Sequence, residues 1–224
     1  LVCTVLGIIY TDFQIFLPRV TGFPTTLGLG LFNGFLYLTS FVLYQYNTRK
    51  NGIVLSSIFM KLGLLVPMAL SILLFGEMPS WLQIAGFVLA LIAIVLINLE
   101  KGGSSSFGFG LILMLLLSGG ADVMAKIFDV FAPQAHSALY LFYNFATAFT
   151  LCVLLVIQKK ERPGLRELLY GALIGIPNFF SSKFLLRSLA DLPAVVVYPS
   201  FSVATMLIVM LTGIVIFRER LNKL

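Results

Sequence analysis

Two ionisable side chains lie inside long apolar runs, where a charge is costly unless a partner or a cavity receives it. Lys61 follows Ile53 by eight residues within one such run. This spacing corresponds to about 12 Å along a helix, which is too deep for the ammonium group to reach an interface easily. We therefore predict that Lys61 binds an anionic group of a solute or holds a counter-ion. A structural salt bridge between helices is the alternative.

Asp122 is the second charge inside an apolar run, and its neighbours allow two interpretations. Lys126 lies four residues later, at the spacing of a local ion pair on one helix. In the other interpretation, Asp122 is a proton-coupling carboxylate or the partner of Lys61. The preceding Gly119 and Gly120 would then loosen the helix so that the acid reaches the middle of the membrane.

Other prominent residues have mainly structural interpretations. Lys183 and Arg187 are four residues apart near the end of an apolar run. A pair that extends towards the interface is favoured over a substrate clamp. His136 falls between two runs and is expected to be solvated. Pro67 and Pro199 lie within runs, where a proline kinks a helix because it removes a backbone donor.

Composition excludes an ordinary soluble domain. Hydrophobic residues make up 59% of the chain and charged residues 11%, whereas roughly a quarter of a soluble domain is charged. The apolar runs have about the length that a helix needs to cross a bilayer, and backbone groups in lipid must be satisfied within the helix. The net charge of +6 comes from basic residues at the ends of runs, where they anchor membrane proteins. The sequence therefore predicts an all-α integral membrane protein that binds no nucleic acid.

The apolar runs predict eight transmembrane spans with short polar connections. The predicted spans are residues 1–17, 27–47, 53–75, 82–99, 107–128, 137–157, 165–189 and 193–217. Because the connections are short, we expect sequential spans to be antiparallel neighbours in one bundle.

One of these spans occurs twice. Phe75 and Phe217 lie 142 residues apart, as do Glu77 and Glu219, so that each copy closes on Phe-x-Glu. At this offset the second and third spans match the seventh and eighth, while the fourth and fifth have no counterpart within the chain. We therefore expect a parent protein of ten spans, five in each repeat. An odd number of spans makes two repeats inverted in the membrane, as in many transporters. This chain is expected to lack the first span, part of the second and the last.

Paired glycines also recur at nearly the same place in the two halves. Gly30 and Gly34 form one G-x-x-x-G motif, and Gly171 and Gly175 form the other. Small residues at this spacing let membrane helices approach closely. Both motifs are therefore predicted to be packing surfaces.

The repeated pattern resembles EamA-type members of the drug/metabolite transporter superfamily. The resemblance covers the whole chain and is strongest over residues 53–98 and 192–224. It consists of a proline-containing helix, the closing Phe-x-Glu and then Gln-x-x-Gly at the start of the next helix, here Gln83 to Gly86. Members of the superfamily move chemically diverse solutes, so the resemblance does not identify a substrate.

The resemblance implies a division into repeats and a set of hydrogen-bonding residues. The first EamA-type repeat would be residues 1–100 and the second 101–224. Four neutral polar residues lie on helices that line the central cavity in this family: Asn33, Tyr37, Asn178 and Tyr198. A hydrogen bond to a neighbouring helix is the alternative for each of them.

The leading functional prediction is a secondary-active transporter of a small metabolite that works by alternating access between two inverted repeats. A non-transporting helper or scaffold subunit is the second hypothesis, and an intramembrane enzyme the third. The enzyme is disfavoured because one histidine and the isolated Cys3 and Cys152 supply no nucleophile–base pair and no metal-ligand cluster. We expect a multi-pass protein of the plasma or inner membrane, with a small-molecule solute and the lipid bilayer as partners. No cofactor or metal is predicted, and a homodimer is left open.

Overall fold

The computed structural model describes residues 1–14, 21–76, 109–160 and 164–215, together with residues 78, 80, 81, 84, 85, 88, 89 and 92. Over these residues the protein is helical and contains no β-strand, as predicted. The α-helices are α1 (Val2–Tyr10), α2 (Phe23–Asn51), α3 (Ile53–Leu62), α4 (Leu65–Phe75), α5 (Phe109–Phe131), α6 (Ser137–Gln158), α7 (Leu165–Asp191) and α8 (Ala194–Val215). A short 3₁₀ turn, Gln134–His136, precedes α6.

Five helical segments are long and apolar enough to cross a membrane. They are Phe23–Asn51, Leu55–Leu74, Phe109–Phe131, Gln134–Gln158 and Leu165–Asp191. Large apolar side chains on their outer faces are exposed, including Phe32, Leu73 and Leu173. Such a surface suits lipid rather than water. Of the other predicted spans, 1–17 is helical over α1, 193–217 corresponds to α8, and most of 82–99 lies outside the described residues.

The ends of α2 follow from local sequence. Pro24 is in the first turn, where its missing N–H costs no helical hydrogen bond. Arg49 and Lys50 lie in the last turn, where positive charge complements the helix dipole. Gly52 then adopts a φ of 84°, which glycine tolerates best, and α3 begins at the next residue.

The predicted span 53–75 is helical, but its α-helical hydrogen-bond pattern is interrupted at Gly63 and Leu64, which keep right-handed helical backbone angles; this interruption divides it into α3 and α4. Pro67 has no N–H to donate to the carbonyl of Gly63, four residues earlier. The amide of Val66 instead donates to that carbonyl at 3.0 Å, which tightens the turn. We call this interruption, one turn before Pro67, the α3–α4 break; the kink predicted from Pro67 stays a prediction.

Helix α2 is the centre of the described bundle and packs against α6, α5 and α3. Its contact with α6 depends on two glycines. A Cβ added at Gly30 would lie 2.7 Å from Tyr143 Cβ, and one at Gly34 would lie 2.6 Å from Thr147 Cβ. The predicted packing role is thus confirmed for this motif.

His136 is buried, so the prediction that it is solvated is wrong. Its side chain is 8% exposed, in the 3₁₀ turn that leads into α6. Its Nδ1 lies 3.2 Å from the hydroxyl of Thr26 at the start of α2. The turn between α5 and α6 folds onto α2, and this packing removes His136 from water.

Candidate functional site: a central polar cavity

A cavity of about 330 Å³ lies between α2, the α3–α4 break, α5, α7 and α8. Lys61 and Asp122 are the charged residues of its described lining. Tyr37, Tyr198 and Asn178 add two phenol hydroxyls and one amide. Serines 40, 118, 181, 182 and 202 complete the polar lining, and Met60, Leu64, Ala121, Leu185 and Phe201 form the apolar part. Five of the six predicted site residues therefore line one cavity.

Lys61 and Asp122 bring opposite charges to this cavity from different helices. Lys61 is in the last turn of α3, where the partial negative charge of the helix end favours an ammonium group. Asp122 lies near the middle of α5. The two side chains attract each other electrostatically. Both are half-buried, and the described contacts include no direct salt bridge between them.

Close backbone contact between the break and α5 places these two charges near each other. A Cβ added at Gly63 would lie 2.6 Å from Ser118 Oγ. A Cβ added at Gly119 would collide with the backbone oxygen of Gly63 and lie 2.6 Å from Val66 Cβ. Gly119 was predicted to loosen α5. That loosening stays a prediction, and the close contacts of Gly119 explain how the α3–α4 break reaches the helix that carries Asp122.

The predicted local ion pair of Asp122 with Lys126 does not form. Lys126 Nζ instead lies 3.1 Å from the carboxylate of Asp129, and both side chains are nearly buried. Lys126 is not among the residues that line the cavity, because its ammonium group is engaged by Asp129, three residues further along α5. Asp122 therefore retains its carboxylate for the cavity.

The neutral predicted residues hold the cavity walls together. The amide of Asn178 donates a hydrogen bond of 2.7 Å to the hydroxyl of Tyr37, which joins α7 to α2. The hydroxyl of Tyr198 donates to the backbone carbonyl of Asp122 at 2.6 Å, which joins α8 to α5. Tyr198 is 1% exposed. These bonds fix the helices on which the charged residues depend.

Asn33 does not line the cavity. Its amide donates a hydrogen bond of 2.8 Å to the hydroxyl of Tyr140 on α6, and the side chain is buried. The alternative stated for it, a hydrogen bond to a neighbouring helix, is what the structure contains.

Five serines were not singled out from the sequence, although their spacing carries a signal. Ser40 follows Tyr37 by three residues, and Ser202 follows Tyr198 by four. Ser118 precedes Asp122 by four, and Ser181 and Ser182 follow Asn178 by three and four. Residues at these spacings share a helix face. The positions three and four residues from each predicted site residue therefore indicate these serines.

A second cavity, of about 440 Å³, lies on another face of α7 near its C-terminal end. Lys183 and Arg187 line it, and Lys183 Nζ lies 3.5 Å from the centre of the Tyr10 ring on α1. The ammonium therefore has a cation–π partner. The buried Phe179 packs on Tyr10 with a ring separation of 5.6 Å. Lys183 thus belongs to the α1–α7 contact, and neither basic residue lines the central cavity.

The described residues include no group of three or more His, Cys, Asp and Glu side chains placed to hold a metal ion. Among the described residues, the polar groups of the central cavity are hydroxyls, the amide of Asn178 and the side chains of Lys61 and Asp122. This chemistry suits reversible binding of a polar molecule through hydrogen bonds and charge.

The comparisons with known proteins give one similarity without a function. The chain is 26% identical over 226 residues to an uncharacterized protein of Haemophilus influenzae, in a match that covers 97% of this chain and 74% of that protein. No family model matches the chain. No solved structure matches it. The function must therefore be argued from the geometry of the cavity.

Proposed function

We propose that the protein is a secondary-active transporter of a small polar metabolite, with the central cavity as its solute site. The observation that carries this proposal is the placement of Lys61 and Asp122 in one cavity between helices of both halves of the chain. Charges inside membrane helices are expensive and commonly mark solute or ion pathways. Among the described lining residues they are accompanied by hydroxyl groups and the amide of Asn178, which suit reversible binding of a polar solute.

The break between α3 and α4 supports the same proposal. Transporters often bind solutes near the middle of the membrane, where interrupted helices expose backbone and side-chain polar groups. Lys61 lies two residues before Gly63, so the charge and the interruption coincide. The cavity is also bounded by both copies of the repeated segment, through Lys61 in α3 and Tyr198 in α8.

We further propose that the chain is an EamA-type member of the drug/metabolite transporter superfamily, in a cell membrane, with more than the five spans identified above. The support is the repeated Phe-x-Glu pattern at an offset of 142 residues. In this proposal, residues 1–100 and 101–224 are inverted repeats that open the cavity alternately to the two sides. Labelling of the two repeats from opposite sides of an intact membrane would test the inversion.

Solute flux tests the central proposal. The full-length protein would be purified, and its thermal unfolding midpoint measured with amino acids, nucleosides and phosphorylated metabolites. Each stabilising solute would then be tested for counterflow in proteoliposomes. We expect at least one such solute to exchange across the bilayer, because ligands that bind the folded state raise its stability. Protein-free vesicles supply the background rate. Stabilising solutes that never cross the bilayer, with or without imposed proton and sodium gradients, would favour a non-transporting helper.

A further inference from the structure

The central cavity is lined by one basic and one acidic side chain, which carry opposite charges when ionised, and they come from different walls. Lys61 is supplied by α3 and Asp122 by α5. The other described lining residues carry no full charge at neutral pH. The cavity as described is therefore electrically neutral overall but strongly polarised from one wall to the other.

This arrangement discriminates between ligands by charge. A ligand with only a carboxylate could satisfy Lys61 but would add a second negative charge beside Asp122. A ligand with only an ammonium group would place a second positive charge beside Lys61. Because electrostatic interactions are stronger in a site that excludes bulk water, both mismatches are penalised. A ligand with both groups matches both walls.

The neutral part of the lining fits a compact polar ligand. Ser202 is 4% exposed, and its hydroxyl has no hydrogen-bond partner among the described residues. The hydroxyl of Tyr37 accepts from Asn178 and retains its own proton for donation. A cavity of about 330 Å³ is at the small end of the range for ligand sites, about 300–1,000 Å³. A molecule of a few carbon atoms between its charged ends suits this space.

We propose that the solute is a small zwitterion, with its carboxylate bound at Lys61 and its ammonium group at Asp122. Its transport rests on the function proposed above, whereas its binding can be tested separately. Ser202 and the Tyr37 hydroxyl donate hydrogen bonds to the ligand, and Met60, Leu64 and Phe201 contact its carbon chain.

The test measures binding of charge-matched probes to the purified full-length protein by isothermal titration calorimetry. The zwitterions are glycine, β-alanine, 4-aminobutyrate and 6-aminohexanoate, and the single-charge controls are butyrate and butylamine. We expect at least one zwitterion to bind about tenfold or more tightly than either control, because a charge-assisted hydrogen bond is lost in each control. Equal affinities for the best zwitterion and a control would overturn the proposal, as would binding of a single-charge probe alone or of no zwitterion.

Variants of the two walls supply a reciprocal test. Lys61→Met is expected to abolish the preference for 4-aminobutyrate over butylamine. Asp122→Asn is expected to abolish the preference for 4-aminobutyrate over butyrate. Val203→Met, at the matching position of the second repeated segment and outside the cavity lining, should keep both preferences. The probe series on the unaltered protein decides the outcome even where a variant fails to fold. If zwitterions bind but do not cross the bilayer, the transport proposal is wrong and the zwitterion proposal stands. If a solute of a different class crosses the bilayer instead, the zwitterion proposal is wrong and the transport proposal stands.

Discussion

The two copies of the repeated segment, residues 53–75 and 195–217, have similar sequence patterns but different structures. The first copy is broken into α3 and α4 and carries Lys61 at the break. The second copy is one helix, α8, through Val215, and has Val203 at the position that matches Lys61. Both copies of the shared pattern are therefore helical, and one departure from it, Lys61 in place of valine, supplies one of the two ionisable groups of the cavity.

The position of each proline explains why one copy breaks and the other does not. Pro67 lies fourteen residues after Ile53, so the backbone bond that it removes is in the interior of the segment. Pro199 is the sixth residue of α8, and the bond that it removes involves Val195 in the first turn. Only Ala194 precedes Val195 in α8, so almost none of the helix lies on the N-terminal side of the missing bond. The same residue type therefore has a local effect in α8 and divides α3 from α4.

The two glycine motifs also differ between the halves of the chain, because the first is more tightly packed than the second. Gly30 and Gly34 are in tight contact with α6, whereas a Cβ at Gly171 would meet nothing within 4 Å among the described atoms. A Cβ at Gly175 would lie 3.2 Å from Val2 Cβ. Equal spacing in the sequence therefore corresponds to one motif in which both glycines are in tight contact and one in which only Gly175 is.

The largest expected effect comes from removing the charge that distinguishes the first copy. Lys61→Met should lower solute flux by about ten- to a hundredfold, because a hydrogen bond to a charged group contributes about 1.5–3 kcal/mol and about 1.4 kcal/mol corresponds to a factor of ten. Methionine keeps most of the side-chain volume. Initial counterflow rates in proteoliposomes, normalised to inserted protein, provide the measurement. Val203→Met is the matched control and should keep the original rate.

A purely structural role for Lys61 predicts a different result. If Lys61 served only to neutralise Asp122, the single variant would be destabilised because the carboxylate would lose its partner. The double variant Lys61→Met with Asp122→Asn would then recover both expression and flux. Recovery of both would show that Lys61 is not a solute ligand.

The second effect in size concerns the glycine motifs. Gly34→Val should destabilise the protein by about 1–3 kcal/mol, the usual cost of overpacking a tight contact, because its side chain would overlap Thr147 and the backbone of α6. Gly171→Val is the control and should change the thermal unfolding midpoint little. The midpoints would be compared in the same detergent. Equal destabilisation by the two variants would mean that both crossings are crowded.

The sequence was sufficient to find the charged residues of the site, because Lys61 and Asp122 are conspicuous in apolar runs. It could not separate Asn33 from Asn178, since both are single amides on apolar helices. Asn33 contacts a neighbouring helix because the hydroxyl of Tyr140 lies within hydrogen-bonding distance of its amide. The serines were missed because serine in a membrane helix often bonds to its own backbone, as Ser118 and Ser40 do here. The α3–α4 break lies at Gly63 and Leu64, one turn before Pro67. The proline by itself predicts a disturbed helix but not this position.

The smallest expected effect tests what the second copy contributes at another pair of matching positions, Tyr198 and Ser56. Tyr198 joins α8 to the carbonyl of Asp122 at 2.6 Å, whereas the hydroxyl of Ser56 bonds to the carbonyl of Gly52 within its own segment at 2.9 Å. Tyr198→Phe should cost about 0.5–1.5 kcal/mol of stability, the net value of one hydrogen bond, and should reduce flux severalfold because Asp122 loses its link to α8. Ser56→Ala should cost less, because the amide of Ser56 also bonds to that carbonyl at 3.4 Å. Thermal unfolding and counterflow would be measured on both variants. If Ser56→Ala lowered flux as much as Tyr198→Phe, the two copies would contribute equally to the cavity, and the asymmetry inferred from Lys61 would not extend to its hydrogen bonds.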